Sequence, residues 1–183
     1  MAVALVFLPA VAFLVLLGWG LGNAQGRSFG GFAVNASFGD APILNPTPAS
    51  FTLKLLDGRQ VSLEGYRGRA LMVDFWASWC PPCRQEAPTL ARLSSEYQGK
   101  GVDFLGIALW DSEEEARKFL ERYRVMYANG IDQRGGIAID FGVTGIPEKY
   151  FISPQGRVVR RFLGPAPEER LRAALDELLA AAP

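Results

Sequence analysis

The chain of 183 residues contains no histidine and only two cysteines, Cys80 and Cys83. Without histidine there is no Cys–His hydrolase site, and Arg84 stands where a c-type haem site needs a histidine directly after its second cysteine. A zinc site normally takes four ligands from cysteine, histidine and carboxylate side chains, so two cysteines argue against one. The sequence therefore predicts no metal and no bound cofactor.

An excess of either charge is also absent, because 19 lysines and arginines balance 19 aspartates and glutamates. A surface that binds nucleic acid normally shows as a basic excess, and an interaction tail shows as a run of like charges. We therefore expect no nucleic-acid partner. The length has room for one domain with its own core and an appendage.

Charged side chains are missing altogether from residues 2–22. As a helix rising about 1.5 Å per residue, this segment would span roughly 30 Å, the thickness of a bilayer core. We predict a transmembrane anchor over residues 1–23; a cleaved signal segment is the alternative, although signal peptides have shorter apolar stretches of about 7–15 residues. Residues 24–49 are rich in Gly, Ala, Pro, Asn and Ser and predict a linker, and residues 50–183 predict the folded domain.

Strand signals recur through the predicted domain. Two short runs flank Asp57-Gly58, a dipeptide that is typical of a β-hairpin. Near-continuous apolar runs at residues 70–76 and 102–109 predict strands that are buried on both faces. Two further runs, on either side of "PQG" at residues 154–156, predict a second hairpin.

Helix signals alternate with these strands. Apolar residues at helical spacing predict a helix from about Pro82 to Tyr97, and Ser112 with Glu115 predicts the start of the next helix. Pro167 predicts the start of the last helix. The order of elements predicts an α/β domain with a mixed central sheet, flanked by helices and preceded by an N-terminal β-hairpin.

The two cysteines lie between the first buried strand and the helix that follows it. An inert structural disulfide and a redox-active pair are both compatible with their spacing. At a helix N-terminus, free N–H groups and the helix dipole stabilise a thiolate, whereas a disulfide that closes so short a loop adds little stability. The position favours a redox-active disulfide, with Cys80 as the exposed attacking thiol and Cys83 as the resolving thiol.

Two segments carry a family resemblance. "VDFWASWCPPC" resembles the active site of the thioredoxin superfamily, and "GVTGIPEKYFI" resembles the loop of that superfamily whose proline is cis. The anchor, the hairpin, "CRQEAP" and "GGIAIDFGVTGIPE" further resemble the TlpA-like, DsbE-type thiol:disulfide interchange proteins of cytochrome c biogenesis. The resemblance spans about residues 50–180 and implies a thioredoxin-like fold.

The resemblance also implies roles for side chains near the cysteines. Asp74 lies where thioredoxins place a buried acid, whose raised pKa would let it take the Cys83 proton through a water; its alternative is a strand-end side chain in solvent. Glu86 matches an acid that flanks the active site, and would be a second proton acceptor or a surface charge of the helix. Trp79 is expected to form a flat platform beside the disulfide rather than to pack in the core like Trp76.

The predicted substrate site is completed by the proline loop. The resemblance implies a cis bond between Ile146 and Pro147, and the backbone beside it would pair with an extended substrate by strand addition. Glu148 matches the acid after that proline, and would border the docking groove or remain a surface charge. The predicted substrate-binding residues are Trp79, Pro81, Pro82, Ile146, Pro147 and Glu148.

Together these features predict a membrane-anchored protein-disulfide reductase. Pro82 lacks an N–H, no histidine lies between the cysteines, and Glu86 adds negative charge, so we expect a weakly stabilised Cys80 thiolate and a low reduction potential. The resemblance implies apocytochrome c thiols as the substrate and a DsbD- or CcdA-like membrane protein as the electron donor. It places the domain on the inner (cytoplasmic) membrane, facing the periplasm or the cell exterior.

Three alternatives remain at this point. The first is a general extracytoplasmic thioredoxin-like reductase. The second is a thiol peroxidase, since peroxiredoxins share the fold, although they need a single activated cysteine with threonine and arginine partners. The third is a binding module that keeps the fold as a scaffold, against which the intact Cys80, Cys83 and Pro147 argue.

Overall fold

The computed structural model describes residues 33–180, together with Phe13, Val15 and Leu16, which are helical. Apart from those three residues, the anchor predicted over residues 1–23 lies outside this described part of the chain. Within the described part, no helix combines the length and the apolar character that crossing a membrane requires.

The described strands are β1 (Ala33–Val34), β2 (Gly39–Asp40), β3 (Thr52–Lys54), β4 (Gln60–Ser62), β5 (Ala70–Trp76), β6 (Val102–Leu109), β7 (Ala128–Asp132), β8 (Gly145–Ile146), β9 (Glu148–Ile152) and β10 (Val158–Leu163). Six of these strands form the central sheet, in the order β2-β10-β9-β5-β6-β7. Strands β5, β6 and β7 run parallel, whereas β9 is antiparallel to both β5 and β10, so the predicted mixed sheet is confirmed.

The helices connect and cover these strands. Their bounds are Pro81–Gln98 for α1, Glu113–Tyr123 for α2, Gly136–Phe141 for α3 and Glu168–Ala180 for α4, with a short 3-10 helix at Glu64–Tyr66. The predicted start of α2 is confirmed, because the Ser112 hydroxyl accepts a hydrogen bond from the N–H of Glu115 at 3.1 Å. Both predicted hairpins are confirmed as antiparallel pairs, β3 with β4 and β9 with β10.

The two faces of the sheet have different cores, because successive strand residues point to opposite sides. Helices α1 and α4 share one face, where their apolar side chains form a single cluster with sheet residues; its larger members are Met72, Leu90, Leu93, Tyr97, Phe104, Phe151, Phe162, Leu171, Leu175 and Leu178. On the other face Phe75 packs edge-on against Phe141 of α3 and against Tyr150, at centroid distances of 5.3 and 5.6 Å. Neighbouring residues of one strand can therefore belong to separate environments.

The predicted linker over residues 24–49 requires a correction at its C-terminal end. Strand β2 pairs with the edge strand β10, placing Asp40 opposite Phe162. The ring of Phe38 packs edge-on against Phe162 at 5.1 Å, and Asp40 forms an ion pair with Arg170. Apolar contact and charge pairing therefore attach this segment to the sheet, so the folded part of the chain begins before residue 50.

Candidate active site

The disulfide lies at the junction of β5 and α1. Strand β5 is buried along its whole length, and the chain continues through residues 77–79 to Cys80, which is the N-cap of α1. The Cys80 Sγ accepts a hydrogen bond from the N–H of Cys83 at 3.3 Å, and the two sulfurs are bonded at 2.06 Å. The predicted placement of Cys80 at a helix start is confirmed, so one free N–H of that helix reaches its sulfur.

Exposure does not distinguish the cysteines in the way the sequence suggested. Cys80 is 0% exposed and Cys83 is 4% exposed in the disulfide form. The prediction of an exposed Cys80 is wrong for this oxidised form, because packing at the helix start covers both residues. Trp79 is 43% exposed and does not pack in the core, whereas Trp76 is buried and stacks on Phe119 at 4.2 Å. The platform role of Trp79 stays a prediction.

Two side chains that sequence reasoning missed hold the loop before Cys80. Asp111 is buried two residues beyond β6, and its carboxylate accepts hydrogen bonds from the Ser78 N–H at 2.5 Å and from the Ser78 hydroxyl at 2.8 Å. Arg84 donates from Nε to the carbonyl oxygen of Ser78 at 2.6 Å. The sequence did contain a signal for Asp111, because this residue follows a parallel strand at the carboxyl edge of the sheet, where the ligand and active sites of α/β proteins form.

Asp74, Glu86 and Lys149 form a buried group of charges that we name the acid–lysine cluster. Lys149 is fully buried; its Nζ donates to Glu86 Oε2 and, at 3.0 Å, to the carbonyl oxygen of Gly164. Glu86 Oε1 also accepts from the N–H of Ala166 at 2.8 Å. The interpretation of Glu86 as a surface charge is therefore wrong. Sequence reasoning missed Lys149, since lysine is almost never fully buried unless it is paired.

Asp74 is the carboxylate of the cluster that forms no ion pair with any residue in the described part of the chain. It lies opposite Lys149 in the antiparallel register of β5 and β9 and is 3% exposed, so the strand-end alternative is wrong. Its Oδ1 is buried and accepts no hydrogen bond from any residue that the structure describes. Burial raises the pKa of Asp74 to about 7; Lys149 acts in the opposite direction, and Glu86 adds to the rise.

The pKa of Glu86 moves in the same direction for the same main reason. Burial raises it, and the contact with Lys149 and the hydrogen bond from Ala166 offset the rise only in part. Tyr127, packed nearby, has a pKa well above its usual range because of burial and the negative charge of Asp74 and Glu86. Two buried carboxylates thus lie near one buried ammonium group, which is paired with Glu86, and this arrangement suits proton transfer.

Glu148 lies in a second buried network, on the other face of the sheet. Its Oε1 accepts hydrogen bonds from both the N–H and the hydroxyl of Thr144, at 2.9 and 2.8 Å, and from the N–H of Gly145 at 3.1 Å. Its Oε2 accepts from the Tyr150 hydroxyl and from two nitrogens of Arg161, at 2.9 to 3.1 Å. With 0% exposure, Glu148 is not a surface charge, and the structure does not place it beside Glu86.

The loop held by Glu148 contains the predicted cis peptide bond, between Ile146 and Pro147. The carbonyl oxygen of Ile146, which would pair with an extended substrate, accepts a hydrogen bond from the N–H of Asn35 at 2.7 Å. The Asn35 side-chain amide donates to the Pro147 carbonyl oxygen at 3.4 Å. The chain itself therefore occupies this backbone acceptor, which sequence reasoning did not anticipate. Pro81 and Pro82 occupy the first two positions of α1.

Comparison with known proteins identifies a family and similar chains. The AhpC/TSA family model matches residues 44–161. The chain is 29% identical over 181 residues to the thiol:disulfide interchange protein HelX of Rhodobacter capsulatus. The aligned region covers 98% of each of the two chains. It is 44% identical over 115 residues to a DsbE homolog of Paracoccus denitrificans, covering 60% of this chain and 62% of that protein.

A solved structure gives the same result for the fold. A thiol:disulfide interchange protein of the thioredoxin family from Chlorobium tepidum superposes with a TM-score of 0.67 at 28% identity, covering 77% of this chain and 99% of that chain. The fold predicted from the resemblance is therefore confirmed as thioredoxin-like.

Proposed function

The chain belongs to the AhpC/TSA family and is a thiol-disulfide oxidoreductase, and from this premise we propose that it is a membrane-anchored reductase of protein disulfides. The observation that carries the direction is the position of Cys80 at the N-cap of α1. Among the described residues a single backbone donor, the N–H of Cys83, contacts its sulfur, and the intervening Pro82 supplies no N–H. Fewer donors stabilise the thiolate less, so the reduced form is favoured less than in an oxidant and the reduction potential is lower.

The charge of Glu86 does not bear on the direction as the sequence predicts. The sequence predicts negative charge beside the thiolate, but the carboxylate of Glu86 is paired with the ammonium group of Lys149. The pair is close to neutral when both members are charged, so Glu86 contributes little to the direction. The low potential then rests on the missing donor at Pro82 and on the absence of histidine from the chain.

The proposed reaction is a two-electron thiol–disulfide exchange. The Cys80 thiolate attacks one sulfur of a substrate disulfide; a bond forms between Cys80 and that sulfur, the substrate disulfide breaks, and the released thiolate takes a proton. The Cys83 thiol then gives its proton to Asp74 and attacks the Cys80 sulfur. This step forms the Cys80–Cys83 disulfide and releases the second substrate thiol. A dithiol donor reduces the enzyme disulfide and completes the cycle.

A glutathione redox titration of the purified chain tests the direction. We expect a potential nearer the thioredoxin value of about −270 mV than the DsbA value of about −120 mV. A potential above roughly −180 mV would place the protein among the oxidants and contradict the proposal.

Trapping experiments test the roles of the two thiols. Cys83→Ser removes the resolving thiol, so substrates should accumulate as mixed disulfides on Cys80, visible as reducible adducts by mass spectrometry. Cys80→Ser is the matched variant and should trap nothing. Adducts on Cys83 in the Cys80→Ser protein would reverse the assignment.

The substrate and the location follow from the resemblance. DsbE-type proteins act in cytochrome c biogenesis, so we propose the oxidised haem-binding thiols of apocytochrome c as the substrate and a DsbD- or CcdA-like protein as the donor. The uncharged residues 2–22 support an inner-membrane anchor that holds the domain at the periplasmic or outer side. Loss of c-type cytochromes in a deletion strain would support this pathway, and normal levels would exclude it. Recovery of a soluble form that starts at Gln25 would show a cleaved signal instead.

Turnover of hydrogen peroxide separates the reductase from a thiol peroxidase. A peroxidase needs an arginine beside its reactive sulfur, but the Nε of Arg84 donates to the backbone of Ser78. We therefore expect disulfide reduction with insulin as the substrate and no comparable peroxide turnover. Faster consumption of peroxide than of insulin disulfides would favour the peroxidase.

A further inference from the structure

The acid–lysine cluster contains a cation, Lys149, that takes no direct part in the proposed exchange reaction. Lys149 is fully buried, and among the described residues Glu86 Oε2 and the Gly164 carbonyl oxygen accept two of its three Nζ hydrogens. Desolvating a carboxylate and an ammonium group costs several kcal/mol for each ion, and a buried pair seldom stabilises a fold more than apolar residues of the same volume would. Fold stability alone therefore does not explain why a lysine stands at this core position.

The surroundings of Asp74 give the lysine a chemical task. On β6 its register partner is Gly106, which has no side chain, and on β9 its partner is Lys149. Glu86 faces it from α1, and Tyr127 approaches from the segment before β7. Within the described part of the chain, Lys149 is thus the positive group that acts on Asp74, while Glu86 is negative and Tyr127 stays neutral.

We propose that Lys149 is a positioning residue for the exchange reaction, whose ammonium group compensates the negative charge of Glu86 and thereby sets the protonation of Asp74, the acceptor of the Cys83 proton. Asp74 must be ionised when Cys83 attacks, and it must hold a proton afterwards. A carboxylate that is buried beside one negative group alone would stay protonated near neutral pH and could not act as a base. Lys149 compensates Glu86 and leaves Asp74 able to exchange a proton. The inference rests on the proposed exchange reaction.

Opposite charge changes at the two partners of Asp74 test the inference. The measurement is the rate of mixed-disulfide resolution as a function of pH, observed in single-turnover reduction of a peptide disulfide by the purified full chain. The midpoint of this pH dependence is compared between variants. Lys149→Met should move the midpoint upward by about one pH unit or more, because two carboxylates then share the site without a cation. Glu86→Gln should move it downward, because Lys149 is then free to pair with Asp74.

Three further variants make the test specific. Lys149→Arg keeps the positive charge, so its midpoint should lie well below that of Lys149→Met and close to that of the wild type. Glu86→Gln combined with Lys149→Met removes both charges, so its midpoint should lie between those of the two single variants. Lys118→Met changes an exposed lysine and should leave the midpoint in place. Where Lys149→Met fails to fold, the direction of the shift in Glu86→Gln decides.

The outcomes separate the inference from the proposed function. A folded Lys149→Met protein with the wild-type midpoint would overturn the inference, as would shifts of the same sign in both single variants, since a purely structural lysine has no reason to give opposite shifts. Absence of disulfide reduction by the wild-type chain at every pH would overturn the proposed function, and the inference with it.

Discussion

Adjacent residues of β9 carry two buried charges, Glu148 and Lys149, and the networks around them differ in how completely they are satisfied. Glu148 accepts six hydrogen bonds, two of them from the guanidinium of Arg161. On the opposite face, Lys149 pairs with Glu86 while Asp74 keeps a buried oxygen that accepts no hydrogen bond from the described residues. The hydrogen bonds of the Glu148 network are complete, whereas the acid–lysine cluster has a carboxylate oxygen of Asp74 that can take a proton.

This difference separates a network that supports the fold, around Glu148, from a group that can take part in the reaction, Asp74. The carboxylate of Glu148 is hydrogen-bonded at both oxygens, and its bonds to Thr144 and Gly145 hold the cis-proline loop, as a fully satisfied buried network does. A carboxylate that is buried without such bonds has its pKa raised toward the pH of the reaction, as for Asp74. Burial of charge alone therefore does not mark a catalytic group.

The largest effect is expected from breaking the complete network. Glu148→Ala leaves the Arg161 guanidinium buried without its carboxylate, and removing one partner of a buried pair costs about 3–5 kcal/mol of unfolding free energy. Urea denaturation monitored by circular dichroism would measure the loss. Glu113→Ala, which removes one partner of an exposed ion pair with Arg117, is the matched control and should leave stability nearly unchanged. Equal losses in the two variants would show that the Glu148 network does not hold the loop.

Breaking the incomplete network should affect the reaction instead. Asp74→Asn keeps the size of the side chain but removes the proton acceptor, so resolution of the mixed disulfide should slow by about 100-fold while its formation changes little. Rapid-quench separation of the two steps measures both rates. An unchanged pH–rate profile in the variant would remove Asp74 from the mechanism.

The same residue predicts how stability depends on pH. The pKa of Asp74 is raised from an unfolded value of about 3.9 to about 7, so the folded state binds the proton more tightly than the unfolded state. The resulting stabilisation is fully present below about pH 4 and is lost as the pH rises through 7, with a total on the order of 4 kcal/mol. Urea unfolding of the oxidised wild type should show this decline relative to Asp74→Asn. A constant stability difference between pH 4 and about 8 would contradict the raised pKa.

Much of the fold could be predicted because its signals are local. Continuous apolar runs gave β5 and β6 with their observed bounds, and the Asp57-Gly58 turn gave the first hairpin. Strand β7 has no such signal, because its sequence contains Asn129 and Gly130. Gly130 is there because a Cβ would lie 2.6 Å from the Lys54 carbonyl oxygen, and Asn129 because it accepts a hydrogen bond from the Trp76 indole at 3.0 Å. These are requirements of tertiary contact, which a local pattern does not contain.

The residues of the candidate site also divide into those with a local sequence signal and those that depend on distant contacts. The cysteines and the proline loop are contiguous motifs and could be read directly from the sequence. The partner of Glu86 lies 63 residues away, and Asp111 lies 33 residues from the loop that it holds. Lys149 follows Glu148 in a strand whose other residues are Tyr150, Phe151 and Ile152. Charged residues in a buried strand depart from the binary pattern, and such departures are where functional residues concentrate. That irregularity was the available signal.

The smallest expected effect concerns the backbone acceptor beside the loop that Glu148 holds. An extended substrate that pairs with the Ile146 carbonyl oxygen must displace the N–H of Asn35, and a net hydrogen bond of about 1 kcal/mol corresponds to roughly a fivefold change in affinity. Asn35→Pro removes this N–H, so the KM for a peptide disulfide should fall by about that factor while kcat stays constant. Asn35→Ala keeps the N–H and removes only the side-chain bond to Pro147, so it is the matched control. A similar fall in both variants would assign the competition to the side chain, and an unchanged KM in Asn35→Pro would show that substrates do not dock at Ile146.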